Sequence, residues 1–311
     1  MLNTPVLFLI FNRPETTQKV FDVIRRQKPQ YLYVAADGPR PGNDTDAELC
    51  KQCIQIISGG IDWDCQLKTL YRNSNLGCKY AVSSAISWLF DNEKEGIILE
   101  DDCLPNNSFF DYCESLLGKY KDSQNVMMIC GTSYQPKSLT ADTYYFSKYP
   151  HVWGWATWKR AWKNYNYDLG AENERKISAV ISNTFSKIHE RVFWNNNLSL
   201  IINGFDTWDY QWMYWIWKNE GLCITPWQNM ISNIGFGLNA THTADANSHQ
   251  SRIKQYEIIE IIHPKNIKVN KRADRYESST ILVGSTLRYY IIKVKNVIGI
   301  FIKPLLAFNG K

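Results

Sequence analysis

The segment GIILEDDCLP, residues 96–105, ends an apolar run in three consecutive carboxylates, Glu100, Asp101 and Asp102. Like charges packed this closely repel one another, and the apolar run predicts partial burial, so the cluster calls for a compensating cation. A hard divalent ion such as Mn2+ or Mg2+ takes one or two protein carboxylates and completes its shell with phosphate oxygens and water. A substrate carrying a diphosphate would supply those oxygens, so the cluster reads as half of a metal–diphosphate site. A solvated strand end capping the next turn is the plainer alternative, and the position directly after GIIL weighs against it. Arg13, in FNRPE, is able to meet phosphate oxygens. Asp37, in AADGPRPG, reads equally as an acceptor for a base N–H or as an ordinary turn residue in Asp-Gly-Pro. No G-x-x-x-x-G-K-[ST] is present, and no G-x-G-x-x-G follows the first apolar run. This excludes a P-loop and disfavours a dinucleotide site.

The elements that must position these groups alternate. Apolar runs at 6–11, 31–37, 66–72 and 96–101 predict strands, and helical spacing predicts helices over 14–27, 46–57 and 77–90. The expected fold class is α/β, a Rossmann-like, mostly parallel sheet with flanking helices. Ligands of such sheets bind beyond the carboxyl ends of the strands. Asn12-Arg13, Asp37-Gly38 and Glu100-Asp101-Asp102 all fall on that edge. Beyond residue 105 the sequence predicts a helix over 107–120, strands at 126–131 and 143–149, and an aromatic-rich stretch at 151–167. A mostly helical segment to about 203, an indole-crowded segment 205–221, and two short strands with a Gly-, Asn- and Thr-rich loop in 222–249 follow.

Bulk composition narrows the partners. Lys and Arg number 35 against 30 Asp and Glu, a net charge of +5, too weak an excess to argue for nucleic acid. Aromatic content is 14%, with 12 Trp and 18 Tyr, a composition that suits sugar or nucleotide contacts although most indoles fill cores. Eight cysteines lack the spacing of a disulfide framework and read as reduced core thiols. Cys50 and Cys53 form a C-x-x-C with no second pair or nearby His to complete a zinc site. PVLFLIF near the start is too short for a membrane span and lacks signal-peptide features, so a cytoplasmic location is expected. From about 285, Leu287, Tyr290, Ile291, Val294, Val297, Ile298, Phe301 and Leu305 share one helical face, flanked by Arg288, Lys293, Lys295 and Lys303. That helix either docks on the core or lies on an anionic membrane surface, making the protein peripheral on the inner face of the cytoplasmic membrane.

LIFNRPE, AADG and ILEDDCLPNNSFFDYCESLL together resemble a nucleotide-diphospho-sugar glycosyltransferase of the GT-A fold, more closely the N-acetylglucosaminyltransferase I type. The resemblance continues in order through HVWGWATWKRAW, WDYQW and SNIGFGLNATHT and covers about residues 4–250. It implies Asp102 as the direct ligand of Mn2+ or Mg2+. Glu100 and Asp101 would lie against the donor's sugar or ribose, Arg13 on the diphosphate and Asp37 on a uracil. Asp209 matches the catalytic base. The sequence departs from the family there, with Trp-Asp-Tyr-Gln-Trp in place of a second acid, so Asp206 stays a competitor. Spaced as one helical turn, Asp206 and Asp209 are expected on one face, with Asp206 capping the indole-rich helix. His242, in the Gly-rich loop, is a further metal candidate, and the loop itself reads as a lid over the donor or as a surface hairpin.

The implied organisation is a nucleotide-sugar-binding half at 1–105 and an acceptor-binding, catalytic half at 106–250 of the same GT-A domain. A C-terminal extension with the basic amphipathic helix spans 251–311. The implied activity is inverting, metal-dependent transfer from a nucleotide-diphospho-sugar, UDP-linked, to a saccharide or lipid-linked saccharide in cell-surface polysaccharide synthesis. A non-catalytic carbohydrate-binding protein and a glycoside hydrolase are the alternatives. A nucleotidyltransferase would also use the acids but should carry an early Gly- and Lys-rich phosphate loop, which is missing.

Overall fold

The structure, a computed structural model, describes residues 1–236 and 253–284. His242 and the amphipathic helix expected from 285 lie outside the described residues.

Strand β1 (Val6–Ile10) is an unbroken apolar run with every residue buried, as a strand covered on both faces requires. Its alternation sends Val6, Phe8 and Ile10 into one core and Leu7 and Leu9 into another on the opposite face. Helix α1 (Pro14–Gln27) opens on a proline, which loses no hydrogen bond at a helix start. It closes on Lys28 in the left-handed region, whose N–H donates back to the Ile24 and Arg25 carbonyls. β2 (Tyr31–Ala36), α2 (Asp46–Gly60), β3 (Gln66–Tyr71), α3 (Gly77–Asn92) and β4 (Glu95–Glu100) complete the first alternation. β1 pairs in parallel with both β2 and β4, and β2 with β3. Asp46 of α2 is anchored by Asn12 and Arg40, whose hydrogen bonds hold its carboxyl down at about 2.

The chain continues through β5 (Cys103–Pro105), α4 (Ser108–Tyr120), β6 (Val126–Cys130), β7 (Tyr144–Ser147), β8 (Trp155–Trp158) and α5 (Lys159–Trp162). Next come α6 (Glu174–Thr184), α7 (Ile188–Ile202), α8 (Asp209–Lys218), β9 (Leu222–Pro226), β10 (Ile231–Asn233) and α9 (Lys271–Tyr276). Eight strands form one sheet in the order β3-β2-β1-β4-β8-β6-β9-β7. β8 is antiparallel to β4 and β6, β7 is antiparallel to β9, and the other six run one way. The expected α/β class, a mostly parallel sheet with helices on both faces, is what the chain adopts.

Two features were not legible beforehand. The aromatic stretch 151–167 contains β8, whose four residues are too few to show a period; Trp155 there stacks on Trp208 at 5.6 Å. β5, directly after the acidic turn, pairs antiparallel with β10 in a separate ribbon. That ribbon brings the start of the Gly-rich loop over the acids. None of the 12 tryptophans is exposed. The indoles of 205–221 therefore pack a core, with Trp212 fully buried against Trp162. All eight cysteines are free thiols. Among the described residues no helix is long and apolar enough to cross a membrane.

Candidate active site

β1 and β4 lie side by side, so their carboxyl ends put Arg13 and the acidic turn in contact. The residue before a proline is pushed out of the helical region, and Arg13 accordingly adopts φ −122° and ψ 76° ahead of α1. From there its Nη1 reaches Asp102 Oδ2 at 2.6 Å and Asp101 Oδ1 at 3.4 Å. Asp101 is buried, and its Oδ2 accepts the Phe11 amide at 3.2 Å, which fixes the turn to the end of β1. Burial is the main influence raising the Glu100 carboxyl, and the Asp102, Asp101 and Asp209 charges add to it against Arg13. Burial likewise raises Asp101, with Arg13 opposing. For the guanidinium, burial works against the charge, but Asp101, Asp102 and Glu100 outweigh it and lift Arg13 above its usual value. One arginine thus serves three crowded carboxyl groups, and burial favours the uncharged form of two of them.

The Gly-rich loop begins on top of this turn. The Ile234 amide donates to the Asp102 carbonyl at 2.8 Å, and the Gly235 amide to Asn233 Oδ1 at 2.9 Å. A Cβ at Gly235 would stand 2.3 Å from Asp102 Oδ2 and 2.7 Å from its Cβ, so only glycine fits. Phe236 then meets Trp153 edge to face at 5.8 Å. Sequence reasoning expected freedom from these glycines and missed the steric fit, because 235 and 102 meet only through the β5–β10 pairing. His242 lies outside the described residues.

Asp37 ends β2 as expected, but its oxygens are engaged by the chain itself. They accept the Gly38, Leu76 and Gly77 amides and the Asn75 side-chain amide, at 2.9–3.2 Å. Asp37 thereby holds the loop that opens α3. Burial raises its carboxyl, and the Leu76 and Gly38 amides oppose. Arg72, at the end of β3, adds a nearby positive charge and donates to Ser84.

Asp206 and Asp209 part company. Asp209 is the first residue of α8, and its Oδ1 takes the Tyr210 amide at 2.9 Å and the Thr207 hydroxyl. Asp206 precedes the helix and turns away. Its carboxylate accepts the Cys78 and Lys79 amides at 3.0 and 2.9 Å, capping α3 rather than α8. Gly77, at φ +79°, permits that approach, since a Cβ there would come within 2.8 Å of Asp206 Oδ2. The expected common helical face for the two aspartates is therefore absent. Asp209 is the one whose charge reaches Glu100.

Arg13, Glu100, Asp101, Asp102 and Asp209 are thus gathered at the carboxyl edge. Among the described residues no three His, Cys, Asp or Glu are grouped to hold a metal ion. The hard oxygen donors suit a divalent cation that takes few protein ligands, Asp102 foremost, and is completed by ligand oxygens, not an all-protein cage.

No protein-family model matches the chain, and no curated protein matches its sequence. Among solved structures the chain is similar to the mannosyltransferase PcManGT from Pyrobaculum calidifontis, solved with GDP-Man and Mn2+. Identity is 12% and TM-score 0.36, over 59% of this chain and 53% of that one. The chain therefore spans about half the length of that protein. It is also similar to HddC from Yersinia pseudotuberculosis, at 12% identity and TM-score 0.32, over 51% of this chain and 78% of that one. A third is the galactosyltransferase LgtC, solved with donor and acceptor sugar analogues, at 8% identity and TM-score 0.34, over 72% and 87% of the two chains.

Proposed function

We propose that the chain is a GT-A-type glycosyltransferase that moves a sugar from a nucleotide-diphospho-sugar to a saccharide hydroxyl with inversion. The observation that carries this reading is the contact of Arg13 with Asp101 and Asp102 at the carboxyl edge, within electrostatic reach of Asp209 through Glu100. A cation and a carboxylate cluster side by side suit a ligand that brings both a metal and a diphosphate. Glu100 and Asp101 face the donor's sugar or ribose, and Arg13 meets the diphosphate oxygens and steadies the negative charge that grows as the sugar departs. Mn2+ or Mg2+, bound through Asp102, would supply further charge neutralisation to the leaving diphosphate. Asp209 accepts the proton of the acceptor hydroxyl as that oxygen attacks the anomeric carbon. Its Oδ1 accepts the Thr207 hydroxyl and the Tyr210 amide, which orients the carboxylate at the start of α8.

Asp37 in this scheme shapes the loop into α3 beneath the nucleotide. A UDP-linked donor is our reading from the sequence motifs. A saccharide or lipid-linked saccharide of cell-surface polysaccharide synthesis is the acceptor that the basic apolar pattern at 285–311 favours, with the protein at the inner face of the cytoplasmic membrane. None of the indoles is exposed and eight of the twelve are buried, which weakens the main argument for a non-catalytic carbohydrate-binding protein. The test is thermal unfolding with UDP- and GDP-sugars, with and without Mn2+, since binding to the native state raises its stability. Mn2+-dependent stabilisation, followed by nucleotide-diphosphate release on adding acceptor, supports the proposal. Stabilisation by free oligosaccharide alone, with hydrolysis and no need of nucleotide, would favour a glycoside hydrolase.

A further inference from the structure

Asp102 is enclosed on two sides. Arg13 holds its Oδ2 at 2.6 Å, and the bare Cα of Gly235 closes over the same oxygen. Side-chain exposure is 24% for Arg13 and 14% for Asp102, so water screens this pair less than a surface pair. Asp101 flanks it at 3.4 Å and Glu100 lies one residue back along β4. The guanidinium therefore sits where the carboxyl groups of the turn converge.

A metal–diphosphate carries one group for each member of this pair, a cation for the carboxylate and an anion for the guanidinium. We infer that Arg13 serves as a stand-in cation for Asp102, and that loading exchanges partners, Asp102 turning to the metal and Arg13 to the diphosphate. This rests on the glycosyltransferase reading above.

The physical consequence is coupling. A metal arriving alone must take Asp102 from Arg13 and leaves a guanidinium partly buried without its strongest partner. A diphosphate arriving alone must take Arg13 and leaves Asp102 beside phosphate oxygens. Separating one member of a desolvated ion pair is costly, and re-pairing both together is not. Metal and nucleotide should therefore raise each other's affinity, by roughly the 5- to 150-fold usual for coupled sites. Part of that coupling arises from direct metal–phosphate contact, so variants must isolate the exchange.

The experiment titrates Mn2+ alone, followed by its electron paramagnetic resonance signal, and UDP and GDP by calorimetry with and without Mn2+. Arg13→Gln removes the stand-in cation. It should bind Mn2+ alone several-fold more tightly than the native protein while binding UDP or GDP more weakly. Asp102→Asn frees the arginine from the opposite side. It should bind metal-free UDP or GDP several-fold more tightly while losing the Mn2+ enhancement. A residue that only supports the fold would weaken both ligands, so the opposed signs identify the exchange. The inference is overturned if both variants fold and neither shows its tighter binding while the native protein retains Mn2+-dependent nucleotide binding. If only one variant folds, its own sign decides. Native protein that binds neither nucleotide with Mn2+ overturns the glycosyltransferase reading, and the exchange with it.

Discussion

The carboxylate of Asp206 accepts the amide of Lys79 at 2.9 Å across 127 residues of chain. With its second oxygen on Cys78, it caps α3 from the far half of the molecule, while Asp37 holds the amides just before. The segment leading into Asp209 is thus tied to the nucleotide-side edge through the first turn of α3. Side-chain caps of this kind contribute about 0.5–2 kcal/mol.

Asp206→Ala should lower stability by about 1 kcal/mol, whereas Asp206→Asn should stay close to the native protein because Asn caps about as well. Urea unfolding of the two variants checks this, and equal losses would mean the cap contributes through charge alone.

Asp209→Asn preserves shape and removes basicity. Donor affinity should persist while single-turnover transfer falls by roughly 10²-fold or more. Asp206→Asn should keep most of its turnover. Exchanged outcomes would assign the base to Asp206.

Asp102→Ala should abolish Mn2+-dependent binding of UDP and GDP in calorimetry, since a metal with few protein ligands does not survive loss of the principal one. Unchanged affinity would remove Asp102 from the metal site.

Two glycines should respond oppositely to alanine. Gly118 lies inside α4 with open space at its Cβ, so Gly118→Ala should stabilise by about 0.5–1 kcal/mol. Gly235→Ala forces a Cβ against the Asp102 side chain and should weaken nucleotide binding. Thermal unfolding and nucleotide titration of the pair check both signs.

Asp46 provides a pH signature away from the site. Its carboxyl is held at about 2, chiefly by Arg40, below the roughly 3.9 of an unfolded chain. A depressed folded value means this contribution is complete above about pH 4 and is lost as pH falls through 2. Asp46→Asn should therefore flatten the stability–pH curve below pH 4 and leave its slope near neutrality unchanged. A curve that keeps its full acid slope in the variant would place that dependence on other carboxylates.

The α/β class and the shared strand edge were readable because both rest on local pattern. A strand buried on both faces must be apolar throughout, as 6–10 and 97–99 are, and chain alternation alone puts Arg13, Asp37 and Glu100–Asp102 on one side. What the acids do there was not local. The Arg13–Asp102 pair depends on β1 and β4 being neighbours in the sheet, and the fit of Gly235 on Asp102 depends on β5 meeting β10. Asp206 and Asp209 look interchangeable at three-residue spacing, yet the helix starts at 209, so one carboxylate caps α3 while the other stays on the first turn of α8, where its charge helps raise the Glu100 carboxyl. Spacing specifies neighbours within an element, whereas the partner of a buried charge is decided by whichever distant donor the packed chain brings within hydrogen-bond reach.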